Sequence, residues 1–160
     1  MPSVKFLPLD ALAARVTSER ENGRRIALAN GGFDLLHVGH IRYLQEAKNQ
    51  ADVLVVGINS DVSLRRLKGE SRALIDEQDR VSLIAALACV DYVTLFDSLR
   101  VDDILRRLKP DVHCKGSDYT PDTVPERATV REYGGRIAIV GGPKIRSTSE
   151  VIARIRSLYG

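Results

Sequence analysis

The sequence predicts an α/β fold: a single domain built on a doubly wound parallel sheet of about five strands, with helices on both faces. Three observations carry this. Five short apolar runs are continuous rather than alternating, as strands buried on both faces must be. Segments of helical periodicity fall between them, giving a βα rhythm along the chain. Glycine and proline punctuate the boundaries, and no repeat, low-complexity tract or long linker interrupts them.

In chain order, residues 1–22 form an N-terminal segment with a helix near 9–21. RIALAN, near 25–30, is the first strand and runs into a Gly-Gly turn and a helix near 38–50. DVLVVGI, near 52–58, is the second, followed by helices near 60–67 and 77–89. DYVTLF, near 91–96, leads to a helix near 101–109, and DVHCK, near 111–115, to one near 125–133. RIAIV, near 136–140, is the last strand, and a final helix is expected near 148–158. In such a sheet, ligands lie at the carboxyl ends of the strands, so the loops after them hold the candidate site.

The 160 residues, 44% of them hydrophobic, suit one domain, 1–160, with a substantial core. The 24 basic against 21 acidic residues leave only +3, too little for nucleic acid without a concentrated patch. Anionic small molecules remain open. Cys89 and Cys114 are too few for a disulfide framework, lack metal-ligand spacing and sit in apolar stretches, so buried free thiols in a reducing compartment are expected. The opening MPSVKFLPLDALAARV has no signal-peptide pattern and no apolar run is long enough to span a bilayer, so the expected location is cytoplasmic, without a membrane partner.

The stretch GGFDLLHVGH, from Gly31 to His40, carries the chemistry. Asn30, Gly31, Gly32, Phe33 and Asp34 link strand to helix, and His37 and His40 share the helix's first turn, with Gly39 leaving space between them. Neither GxGxxG nor GxxxxGK[ST] is present, so a different phosphate device is needed. A helix N-terminus favours an anion, and each imidazole can donate an N–H to phosphate oxygens. The alternative is local: one histidine caps and the other packs. A zinc site lacks a third acidic or cysteine ligand nearby. Arg146, Ser147, Thr148 and Ser149 precede the last helix, where Ser147 and Glu150 fit an S-x-x-E capping box and a polyphosphate fits equally. RRLKGESR places Lys68 and Arg72 after the second strand, on the ligand side. Arg80 has Asp76 and Glu77 as helical-spacing partners. DVHCKGSDY ends a buried strand in Lys115, followed by Gly116, Asp118 and Tyr119, with His113 read as a packed core residue.

The GxFDxxHxGH pattern resembles the signature of the nucleotidyltransferase (cytidylyltransferase-like) superfamily related to class I aminoacyl-tRNA synthetases, and RSTS resembles its second signature. Taken together, NGGFDLLHVGH, INSD, RLKGESR, KGSDY and RSTS are most similar to the adenylyltransferase half of bacterial ADP-heptose synthase, over residues 24–156. The resemblance implies a Rossmann-like fold and attack by a phosphate on the α-phosphate of ATP, with pyrophosphate leaving. His37 and His40 would stabilise charge on the triphosphate, RSTS would hold the β- and γ-phosphates, and Lys115 would contact a phosphate. Lys68, Arg72, Arg80, Gly116, Asp118 and Tyr119 would serve the substrates. The implied acceptor is D-glycero-β-D-manno-heptose 1-phosphate, made upstream by a separate heptose kinase and converted to ADP-heptose for lipopolysaccharide core. Mg²⁺ is expected with ATP, with no protein metal cage; Asp34 would assist through water or brace the turn. A homo-oligomer such as a dimer is expected. Ala29, Gly32 and Ser149 depart from residues common in that family. Glycerol-3-phosphate cytidylyltransferase and an FAD synthetase-like enzyme are the enzymatic alternatives, and a nucleotide-sensing module without turnover is the non-enzymatic one.

Overall fold

A computed structural model describes residues 4–160, so the first three residues of the N-terminal segment 1–22 lie outside the described residues. The elements run α1 (Leu9–Glu21), β1 (Ile26–Gly31), α2 (Val38–Lys48), β2 (Val53–Asn59), α3 (Asp61–Lys68), α4 (Glu77–Ala85), β3 (Tyr92–Phe96), α5 (Asp102–Leu108), β4 (Val112–Lys115), α6 (Arg127–Glu132), β5 (Arg136–Ile139) and α7 (Thr148–Tyr159). Each expected strand and helix is present. The largest difference is α4, expected to reach residue 89 but ending at Ala85. Beyond it the N–H groups of Leu87 and Val90 bond to Ile84 and Leu87 carbonyls at 3.1 and 3.2 Å. These tight turns bring Val90 into the core ahead of β3.

The strands lie in the order β3-β2-β1-β4-β5, all paired in parallel. The chain moves outward from β1 to β3, then returns to the other side of β1 for β4 and β5. The resulting switch point lies between β1 and β4, where a crevice opens at their carboxyl ends. Alternation along β1 explains its continuous apolar run. Ile26 and Leu28 pack with Leu12 and Val16 of α1, Leu105 of α5 and Val130 of α6. Ala27 and Ala29 face the other way, in a cluster with Leu44 and Ala47 of α2 and Val81 and Ile84 of α4.

Register is fixed at the other end of the sheet by aspartates placed just before three strands. Asp52, Asp91 and Asp111 each accept a backbone N–H from a neighbouring strand or its approach: Arg25 at 2.8 Å, Leu54 at 2.7 Å and Ile26 at 2.8 Å. Each satisfies a donor that the ladder leaves free. Cys114 is buried and Cys89 half-buried, both as free thiols. Among the described residues, no helix is long and apolar enough to cross a membrane.

Candidate active site

The two histidines open α2 and cap it reciprocally. His37 Nδ1 accepts from Gly39 N at 3.1 Å, and His40 Nδ1 accepts from His37 N at 3.3 Å. Their rings stack with centroids 3.9 Å apart, and Phe33 meets His40 edge-on at 5.2 Å. Because Nδ1 accepts in both, the proton of each neutral ring is assigned to Nε2, which remains a donor. The cap therefore uses one nitrogen of each ring and leaves the other available. Gly39 is required by this packing: a Cβ there would stand 2.9 Å from His37 Cε1 and 3.4 Å from the Arg146 carbonyl.

Both rings are shifted toward the neutral form. Burial pushes His40 down to about 4, with the adjacent His37 acting in the same direction. His37 is lowered by burial and by Lys144, with Glu150 opposing. A folded-state value below the unfolded one means that the unfolded chain binds more protons on acidification. The contribution of His40 to stability is thus complete above about pH 6.5 and is lost as pH falls toward 4. Urea midpoints measured across pH 7 to 4 are expected to fall through this window, and to fall less steeply in His40→Asn.

The cleft wall is built on Arg80, which is fully buried. Its guanidinium donates to the carbonyls of Gly32 (2.6 Å), Asn59 (2.8 Å) and Ile75 (3.0 Å), and to Asp61 Oδ1 (2.7 Å). The expected substrate contact of Arg80 is therefore corrected: its donors are spent on the ends of β1 and β2 and on the loop before α4, and it does not line the cleft. Nor does it pair at helical spacing. Asp76 caps α4 through Gln78 N and Asp79 N, while Glu77 accepts from Asp61 N. Phe33, in the turn that Arg80 holds, has φ 52°, a left-handed conformation uncommon outside glycine. Asp34 Oδ1 accepts from Ile75 N at 3.2 Å, which favours bracing, and its buried Oδ2 has no partner.

On the other side of the switch point, Lys115 ends β4 with 8% exposure. Its Nζ lies 4.9 Å from the Tyr119 ring centroid and 3.7 Å from Glu126 Oε2. Tyr43, one turn beyond His40 on α2, donates its hydroxyl to the Cys114 carbonyl at 2.8 Å and so ties the histidine helix to β4. His113 is buried as expected, with Nε2 3.5 Å from Glu126 Oε2. The third wall is the start of α7, where Ser147 Oγ accepts from Glu150 N and Glu150 Oε2 accepts from Ser147 N, the capping box read from the sequence. Arg72 reaches across to Ser149 Oγ at 2.8 Å. Lys144 spans the mouth to Asp118 at 3.4 Å.

With the exception of Arg80, every site residue expected from the sequence lines one open cleft of about 680 Å³ at the carboxyl ends of β1 and β4. That volume suits a small molecule rather than a polymer groove. Tyr43, Arg100, Glu126 and Lys144 also line it and were not anticipated. Tyr43 carried a signal, three residues after His40 on the same helical face; Lys144 carried a weaker one, just ahead of RSTS. Among the described residues, no group of three or more His, Cys, Asp or Glu could hold a metal ion. What the arrangement offers is a ring of donors: two imidazoles, a helix start rich in hydroxyls, and Lys115 and Arg72. It is chemistry for multiply charged phosphates.

Comparison with known proteins agrees. The chain is 49% identical to "Bifunctional protein HldE" of Geobacter metallireducens over 98% of its length and 32% of the relative's. It is 48% identical to the protein of that name from Methylobacillus flagellatus, over 96% of this chain and 31% of the relative. The chain thus spans about a third of the length of these curated relatives. A crystal structure of a lipopolysaccharide core biosynthesis protein from Thermoplasma volcanium superposes with a TM-score of 0.66 and 32% identity, covering 78% of this chain and 100% of that one. The model of the family described as cytidylyltransferase-like matches residues 28–154, which include both histidines, Lys115 and the RSTS helix start. The chain belongs to the cytidylyltransferase-like family, as a nucleotidyltransferase domain.

Proposed function

We propose that the chain transfers AMP from ATP to a sugar 1-phosphate, D-glycero-β-D-manno-heptose 1-phosphate, giving ADP-heptose and pyrophosphate. The observation that carries the reading is the pair of stacked, neutral histidines whose Nδ1 atoms cap α2 while their Nε2 donors remain free, in one cleft with Lys115 and the α7 start. The 49% identity to an HldE protein and the sequence resemblance to the adenylyltransferase half of ADP-heptose synthase support the choice of acceptor.

An oxygen of the acceptor phosphate attacks the α-phosphorus, and the bond to the bridging oxygen of pyrophosphate breaks, carrying its electron pair away. His37 and His40 donate to oxygens at the α- and β-phosphates as charge moves toward the leaving group. The α7 N-terminus, with Thr148 and Ser149, takes the β- and γ-phosphates once Arg72 exchanges Ser149 Oγ for a phosphate oxygen. Ser147 stays with its cap. Lys115 faces the acceptor phosphate, with Lys68, Gly116, Asp118 and Tyr119 around the sugar. Asp34, whose Oδ2 has no partner, would hold through water the Mg²⁺ that accompanies ATP, and the cation would neutralise charge on the triphosphate. On this reading a separate heptose kinase acts upstream, and the reaction takes place in the cytoplasm, where ATP is available.

Pyrophosphate release with ATP or CTP against a panel of phosphate acceptors tests this directly. We expect kcat/KM to favour ATP with the heptose 1-phosphate, and activity to vanish in excess chelator. Preference for CTP with glycerol 3-phosphate would move the chain to the cytidylyltransferase reading, and binding without turnover would make it a sensor.

A further inference from the structure

The carboxyl end of β4 brings a buried charge cluster to the cleft. His113 and Lys115 are two residues apart, so they leave the same face of the strand. Both approach a single oxygen, Glu126 Oε2, at 3.5 Å from His113 Nε2 and 3.7 Å from Lys115 Nζ. His113 is 0%, Glu126 4% and Lys115 8% exposed. At these separations the contacts are electrostatic more than hydrogen-bonded, and Glu126 Oε2 and both His113 ring nitrogens have no hydrogen-bond partner. Glu126 immediately precedes α6 but makes no side-chain cap there.

A buried carboxylate is costly unless its charge is used, and one that lines a phosphate cleft also repels the ligand. Nothing in the transfer reading explains why it is there. Lys115 does. Among the described residues, Glu126 is the carboxylate that Lys115 pairs with, and the uncharged Tyr119 ring lies beneath Nζ. Arg100 enters from the β3–α5 loop and donates to the Pro125 carbonyl at 2.5 Å, beside Glu126. Asp118, in the loop after β4, faces Lys144.

We propose that Glu126 is a positioning residue that keeps Lys115 charged and in place beside the acceptor phosphate, with His113 closing the carboxylate from behind. The proposal rests on the transfer reading for the identity of the acceptor, and adds the residue that maintains the acceptor's cation. Burial lowers the Lys115 pKa, and Glu126 opposes that loss. Burial raises Glu126, but contact with His113 and the charge of Lys115 outweigh it and hold the carboxyl at about 2. His113, lowered by burial, stays neutral and leaves the positive charge on Lys115.

Glu126→Gln removes the charge and keeps the shape. The titration of Lys115 is followed by NMR in lysine-labelled protein, its signal being the one lost in Lys115→Arg. The midpoint is expected to fall by about 1 to 3 pH units in Glu126→Gln, the range for loss of an opposite charge at this distance. In parallel, kcat/KM for the sugar 1-phosphate is expected to drop at least about tenfold more at pH 9 than at pH 6.5, as Lys115 loses its proton. KM for ATP should hold. A purely structural Glu126 would lower the melting temperature and leave both titrations as in the wild type, which would overturn the proposal. Should Glu126→Gln not fold, Glu126→Asp moves the charge away from Lys115, and an unchanged midpoint in that variant would overturn it equally. If the wild type releases no pyrophosphate, the transfer reading fails, while the NMR titration still decides the role of Glu126.

Discussion

Alanine at position 40 is expected to lower kcat by about 10²- to 10³-fold, about 2.7 to 4 kcal/mol, the loss seen when one preorganised donor to a developing oxyanion is removed. His37→Ala should do the same. ATP affinity changes far less in both, because the donors act most strongly on the charge that appears as pyrophosphate leaves. Each histidine also holds part of the α2 cap through Nδ1, so alanine carries a stability cost of its own, about 1 kcal/mol for a lost cap. The two effects separate in His37→Asn. Asparagine is among the best helix caps, so stability should return while kcat does not. Thermal unfolding, ATP binding and single-turnover rates on the three variants make the comparison. A folded His40→Ala protein with near-normal turnover would remove His40 from the mechanism.

Arg80→Ala should cost about 3 to 5 kcal/mol of folding stability, the range for removing one partner of a buried ion pair. The magnitude follows from what is stranded. Asp61, with a side chain 21% exposed, loses its cation, and the carbonyls of Gly32, Asn59 and Ile75 lose a donor. Lysine does not repair this, since a single ammonium cannot reach four acceptors arranged around a planar fork. Arg80→Lys should recover only part of the loss. Urea unfolding provides the measurement, and the alternative is clear-cut: stability near wild type with a raised KM would return Arg80 to the substrate contact that its sequence context suggested.

Arg80 also marks where the sequence stopped being readable. Its neighbours Asp76 and Glu77 stand at helical spacing, so a local pair was the natural expectation. Apart from the nearby Ile75 carbonyl, its partners come from the ends of β1 and β2 and the first residue of α3, which meet only when the sheet assembles. Glu126 was hidden for the same reason: nothing in VPERATV distinguishes a carboxylate that folds back on Lys115 from one in solvent. Asp52, Asp91 and Asp111 open the runs DVLVVGI, DYVTLF and DVHCK, and their role as acceptors for neighbouring strands depends on register.

What was readable had a local physical cause. The strands of a sheet covered on both faces have to be apolar throughout, so RIALAN and DVLVVGI announced themselves. The histidines could be placed because a strand, a Gly-Gly turn and a helix start fix the geometry within about ten residues. The sequence left a choice between capping and phosphate binding. Structure removes the conflict, as the cap occupies one nitrogen of each ring and the proposed donor is the other. Likewise Ser147 is a cap, and the phosphate contacts proposed for this helix start fall to Thr148 and Ser149.

³¹P NMR of a single reaction shows whether this cleft directs attack to the α-phosphorus of ATP. With Mg²⁺, ATP and D-glycero-β-D-manno-heptose 1-phosphate, the three ATP signals are expected to decay together. In their place should appear the coupled doublets of a sugar diphosphate linked to adenosine and the singlet of pyrophosphate, in equal amounts. Formation of ADP with orthophosphate, or with a second phosphate on the sugar, would show attack at the γ-phosphorus and contradict it.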